Sequence, residues 1–189
     1  MSTFNVHNQE SAPENSRPLL AGAQQAFGFV PNLIGTFAES PATLEAYLAL
    51  GQIFDKSSFS ATERQTVILA ASRYNECHYC VAAHSVVAGM QKVPADVIEA
   101  LRNDTPIADA RLEALRQFTT AVVDQRGWVS EDEVDAFIAA GFTRAQVLEV
   151  VLGVTFKTLS NYTNHIADTP LDDAFAGAAW APVETRQAS

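Results

Sequence analysis

At Ser60/Glu63, Ser130/Glu133 and Thr143/Gln146 a hydroxyl residue stands three positions before Glu or Gln, and apolar residues at helical spacing follow. Each pair is a capping box. The hydroxyl accepts the backbone N–H of the third helical residue and the acid or amide reaches back to the cap N–H, so each marks a helix start. Ser40-Pro41 supplies a further start, an N-cap residue before a first-turn proline. No run of alternating Val, Ile and aromatic residues competes with these signals, so the expected fold is all-α.

The apolar positions fill in the segments. Leu44, Tyr47, Leu48 and Phe54 continue a helix over 41–56, and Val67, Ile68 and Ala71 continue the one capped by Ser60. Asn75 is expected to cap a helix running to Met90. Leu112, Leu115, Phe118 and Val122 place a one-sided stripe on a surface helix over Asp109–Gln125. Residues 144–159 are apolar nearly all round, so that helix belongs in the core or in a subunit interface. Upstream, 19–29 reads as a helix ended by Gly28 and Pro31. Residues 1–17 read as an extended arm that packs on a partner subunit, and the Ala-rich tail 170–189 as irregular. No repeat or linker divides the 189 residues, so one domain spans 1–189.

Twelve Lys and Arg against 22 Asp and Glu leave a net charge of −10, which excludes a phosphate-binding surface and with it a nucleic-acid partner. No apolar stretch approaches the roughly 20 residues that cross a bilayer, and the polar start has no signal-peptide core, so no membrane association and a cytoplasmic location are expected.

The two cysteines, Cys77 and Cys80, are three positions apart, too close to staple a fold. On a helix they share a face with His84, four residues beyond Cys80. A thiolate that attacks a peroxide or a disulfide needs a second thiol close enough to resolve the intermediate, and one helical turn provides it. Cys77 gains more from the helix start, Cys80 is nearer His84, and either can be the nucleophile. His84 suits a proton relay. The competing readings are two buried small side chains, a satisfied core histidine, and a zinc site that would lack its fourth ligand, so no metal is expected. His7 carries no signal. Trp128 and Trp180 read as interface or core fillers, and His165 as a residue bonding near a helix end or reaching the cysteine pocket.

The stretch Ser60–His84 with its Cys77-His78-Tyr79-Cys80 core, together with 27–33, the start Glu39-Ser40-Pro41 and the segment 161–165, resembles the carboxymuconolactone decarboxylase family, in its AhpD-like, peroxidase-related branch. The resemblance implies an AhpD-like helical bundle that assembles as a homo-oligomer, dimer, trimer or hexamer. It also implies a peroxidase or disulfide reductase in which Cys77 and Cys80 cycle between dithiol and disulfide and His84 relays protons. The substrate would be a hydroperoxide or a disulfide, the reductant an external dithiol such as a lipoyl protein, and no cofactor is implied.

Two positions depart from that pattern. Twelve residues before Cys77 the hydroperoxidases carry a relay Glu, and here Gln65 can orient a partner but cannot take up a proton. Glu63 does not replace it, because two positions turn a helical side chain by about 200°. The relatives also have His immediately before the second Cys, where this chain has Tyr79, with His78 one position earlier. Two other classes stay open: a lyase acting on a small lactone without sulfur chemistry, and a redox sensor without turnover.

Overall fold

The computed structural model describes residues 4–182, which are helical with no strand among them. In chain order the helices are α1 (Arg17–Phe27), α2 (Asn32–Phe37), α3 (Pro41–Phe54), α4 (Ala61–Tyr74), α5 (His78–Met90), α6 (Ala95–Asn103), α7 (Ala110–Asp124), α8 (Glu131–Ala139) and α9 (Arg144–Ala167). A 3-10 turn at Glu14–Ser16 precedes them and another at Asp173–Ala178 follows. None of the helices is by itself long and apolar enough to cross a membrane.

All three capping boxes form, with both halves of each reciprocal bond present at Ser60, Ser130 and Thr143. Ser40 caps α3 ahead of Pro41, and Gly28 ends α1 in the left-handed conformation (φ 80°) that a side chain would strain. The short helices α2 and α6 carry no such signal at their start: each follows a proline whose side chain makes no cap bond, and neither was expected.

α4 is the central element. Gln65 through Ser72 are all buried, because α5, α6, α7 and α9 surround it. Packing on its α7 and α9 side is aromatic: Phe137 stacks between Phe118 and Phe142 at centroid distances of 4.4 and 4.3 Å, and Phe54, Phe59 and Phe156 complete the cluster. A second cluster, built from α1, α2, α3 and α5, contains both cysteines.

Close contact between α9 and its neighbours depends on Gly153. A Cβ there would lie 2.6 Å from Val67 Cγ1 and 2.8 Å from the Phe54 ring, both fully buried and unable to give way. Gly153→Ala is therefore expected to destabilise the chain by about 1–2 kcal/mol in urea unfolding, since overpacking outweighs the better helix propensity of Ala.

Three expectations need correction. The described part of the N-terminal segment, residues 4–17, folds back on its own chain: His7 and Ala12 are buried, His7 N–H donates to Gly35 O at 3.1 Å, and the His7 ring bonds Glu39 at 2.7 Å. His7 thus fastens the arm. Its first three residues, and 183–189 of the tail, lie outside the described residues. Asn75 does not start the cysteine helix. It ends α4, Glu76 takes the left-handed conformation, and Cys77 itself is the N-cap of α5. Finally, α9 is not apolar all round but carries a buried polar stripe. Of the two residues read as interface or core fillers, Trp180 is packed, donating to Arg102 O at 3.0 Å, and Trp128 is 87% exposed on the single chain, which excludes only the core reading for it.

Candidate active site

The turn between α4 and α5 places the first cysteine. Cys77 N–H donates to Ser72 O at 2.9 Å and Glu76 N–H to Arg73 O at 3.0 Å, the paired bonds that close a helix through a left-handed residue. Cys77 O then accepts the first bond of α5, from Val81 N–H at 3.0 Å. Its backbone is therefore held from both helices, and Cys80 lies one turn into α5. Both thiols are free and buried.

The polar stripe of α9 faces them. Lys157, Ser160, Asn161 and Asn164, all buried, recur at the spacing that aligns helical side chains on one face. Asn164 Nδ2 lies 3.6 Å from Cys77 Sγ and 3.3 Å from Cys80 Sγ, and Ser160 Oγ lies 3.7 Å from Cys80 Sγ. Asn161 joins the stripe to the turn, accepting from Asn75 Nδ2 at 2.9 Å and donating to Ser72 Oγ at 3.3 Å.

His84 does not bond either sulfur. Its Nδ1 lies 3.3 Å from Gln65 Oε1 and its Nε2 3.1 Å from Lys157 Nζ. An amide oxygen only accepts, so Nδ1 carries the proton and Nε2 accepts from the lysine. Burial first, and then the Lys157 charge, hold the imidazole well below its ordinary value, so it is neutral. Gln65 in turn donates to Gln91 Oε1 at 3.2 Å. Gln65 thus stands where it orients His84.

The two thiols are pushed apart. Burial raises Cys80, but the hydrogen bond from the Cys77 thiol, the Lys157 charge, and bonds from Ser160 and Asn161 outweigh it and hold Cys80 well below the ordinary thiol value. Giving its proton to that bond, then burial and the Cys80 charge, raise Cys77. The acidic sulfur is Cys80, not the one at the helix start. Tyr47, stacked between Phe37 and Phe156 at 4.7 and 5.0 Å, is raised by burial and then by the two sulfurs, and stays protonated.

The remaining candidates lie outside this group. Tyr79 donates to Asp172 Oδ2 at 2.5 Å; burial first, and then that bond, raise its hydroxyl. His78 is exposed and packs edge-on against Trp180 at 5.7 Å. His165 is exposed beside Tyr162, 6.4 Å between ring centroids, and does not reach the sulfurs of its own chain. Among the described residues no group of three or more His, Cys, Asp and Glu is arranged to hold a metal.

Lys157, Ser160 and Asn164 were not anticipated, although a signal existed. Lys157 is the one charged residue between Glu149 and Asp168, in a helix otherwise rich in apolar residues. A lone Lys there is buried only with a partner to satisfy it.

Residues 41–124, which include both cysteines and His84, match the model of the Carboxymuconolactone decarboxylase family. The chain is similar in structure to an AhpD-core, peroxidase-related protein of Ralstonia eutropha JMP134, with a TM-score of 0.81 and 26% identity over 92% of this chain and 94% of that one. A peroxidase-related protein of Silicibacter sp. TM1040 shares the fold at TM-score 0.78 and 18% identity, over 93% of each chain. So does the debrominase Bmp8, solved as a Cys-to-Ala variant with 2,3,4-tribromopyrrole, at TM-score 0.76 and 19% identity over 94% of this chain and 97% of that one. No functionally curated protein matches the chain. The cysteine segment thus lies inside the region that matches the carboxymuconolactone decarboxylase family model, and the helices are arranged as in the AhpD-core protein, which supports the resemblance to the AhpD-like branch of that family.

Proposed function

We propose that the protein is a thiol-dependent reductase of hydroperoxides in which Cys80 attacks and Cys77 resolves. The observation that carries this reading is the asymmetry of the pair: Cys80 Sγ has Asn164 Nδ2 at 3.3 Å and Ser160 Oγ at 3.7 Å, whereas Cys77 Sγ has Asn164 Nδ2 at 3.6 Å, and these donors with the Lys157 charge favour the thiolate on Cys80. A thiolate with a protonated thiol beside it is what a two-step reduction requires. The peroxidase-related relatives of the same fold support it.

In the first step the Cys80 thiolate attacks the O–O bond, giving a Cys80 sulfenic acid and an alkoxide that takes a proton. Cys77 then displaces hydroxide from that sulfur, water leaves, and the disulfide has taken up two electrons' worth of oxidation. An external dithiol, of the lipoyl type, returns both electrons by exchange. Leu33, Ile34, Phe37, Leu44 and Leu48 share one apolar cluster with the two cysteines, so an apolar organic substituent fits better than a charged one. Asn164 Oδ1, buried and without a hydrogen-bond partner, is an acceptor for the hydroperoxide O–H.

One equivalent of cumene hydroperoxide added to reduced protein should remove two hydrogens and leave a Cys77–Cys80 disulfide by mass spectrometry. Dihydrolipoamide should restore the dithiol and sustain turnover. Thiols that stay reduced, with an activity on lactones that survives alkylation, would replace this reading by the lyase.

A homo-oligomer belongs to the same proposal. α9 leaves Leu148 (71%), Val151, Tyr162 and Ile166 (72%) exposed, and 148, 152, 155, 159, 162 and 166 alternate spacings of four and three along one seam. Leu148→Glu together with Ile166→Glu should lower the mass found by light scattering to that of the monomer. An unchanged mass would place the contact elsewhere.

A further inference from the structure

We propose that Lys157 is both the resident counter-ion and the proton donor of the dithiol centre, passing its proton to the oxygen that leaves when Cys80 is oxidised. This deepens the oxidoreductase reading and rests on it.

Lys157 is fully buried, and among the described residues no carboxylate lies within ion-pair distance of it. An ammonium taken out of water without an anion costs several kcal/mol, so such a lysine either loses its proton or keeps an anion beside it. The ionisable groups that face it are few. From α5 these are Cys77, Cys80 and His84, while the Tyr47 hydroxyl of α3 faces the two sulfurs; Gln65 of α4 and Ser160, Asn161 and Asn164 of α9 itself are neutral. Of the acids, Tyr47 and Cys77 keep their protons. The anion is the Cys80 thiolate, and the reduced centre is a neutral ion pair.

Oxidation removes that anion. If Lys157 stayed charged, the disulfide would face a buried, unpaired ammonium. His84 cannot relieve it, because its Nδ1–H is committed to an amide oxygen that takes up no proton, and its Nε2 lone pair holds the lysine in place. The proton therefore leaves with the product. The thiolate, the ammonium, the Cys77 thiol and ROOH give the disulfide, a neutral amine, ROH and water: charge is zero and five acidic hydrogens are present on each side. On reduction, the two protons of a dithiol donor restore the Cys77 thiol and the Lys157 ammonium, and its two electrons restore the sulfurs. The buried centre stays neutral throughout.

The test compares full-length wild type with Lys157→Met and Lys157→Arg. Lys157→Met fills the same space without charge and should raise the thiolate titration, read by ultraviolet absorbance and by iodoacetamide rate against pH, by about 1–3 pH units. Lys157→Arg keeps the charge but cannot surrender its proton, so it should titrate near wild type and yet lose turnover with cumene hydroperoxide about tenfold or more. In wild type, the potential of the pair should vary with pH as two protons per two electrons. An unchanged titration in Lys157→Met would overturn the counter-ion role, and one proton per two electrons would overturn the donor role. Neither result depends on turnover, whereas failure of cumene hydroperoxide to form the disulfide in wild type would count against the oxidoreductase reading itself.

Discussion

Cys80→Ser is expected to abolish hydroperoxide turnover, by about 10³-fold or more, while leaving the helical fold intact. The hydroxyl is close in size to the thiol and Ser160 and Asn164 can satisfy it, so the loss lies in chemistry and not in packing. Cys77→Ser should behave differently. Cys80 is still flanked by Lys157 and Asn164, so it should still attack once and stop as a sulfenic acid, trapped by dimedone and found by mass spectrometry. The expected pattern is therefore an inert protein from one substitution and a single-turnover protein from the other. The reverse pattern would make Cys77 the nucleophile, and equal residual turnover in both would remove the sulfurs from the mechanism.

How much of this was legible beforehand depended on whether the information was local. Ser60, Ser130 and Thr143 announce helix starts because a capping box is complete within four residues, and all three stand where expected. The pair Cys77/Cys80 with His84 was visible for the same reason. The start of α5 was misplaced by two residues because Asn75, a good cap residue, is used to end α4, with Glu76 in the left-handed conformation. The partners of the site were hidden. Lys157 lies 73 positions from His84 and Asn164 lies 84 from Cys80, and only the packing of α9 against α4 and α5 brings them together. A reading of residues 144–159 by apolarity also ran against the one charged position that matters. Gln65 is the instructive case. In place of a carboxylate it looked like a break in a proton relay. In the folded chain its amide oxygen faces His84 Nδ1 at 3.3 Å, and the other ring nitrogen faces Lys157 at 3.1 Å.

The segment after α9 gives the second large effect. Asp172 is buried and accepts three bonds, from Tyr79 O–H at 2.5 Å and from Asn32 N–H at 3.0 and 3.2 Å to its two oxygens. Tyr79 sits between the cysteines in sequence, and Asn32 opens α2, so one carboxylate ties the tail to both walls of the sulfur site. Leu171 and Phe175 pack on the cluster that holds Cys77 and Cys80, and Arg102 fastens the far end by donating to Ala178 O at 3.0 Å and Ala179 O at 3.1 Å. Asp172→Ala leaves the Tyr79 hydroxyl and the Asn32 N–H without this acceptor, at a cost of about 3 kcal/mol, and little else in the tail offsets it. The expected consequence is local. Residues 170–180 should lose hydrogen-exchange protection while α4 and α9 keep theirs, and alkylation of the buried thiols should accelerate by about a hundredfold, as such a free-energy change implies for an opening equilibrium. Released tail with unchanged alkylation would mean that small molecules reach the sulfurs from the α1–α3 side, past Tyr47 and Leu48, and that the tail supports the site without gating it.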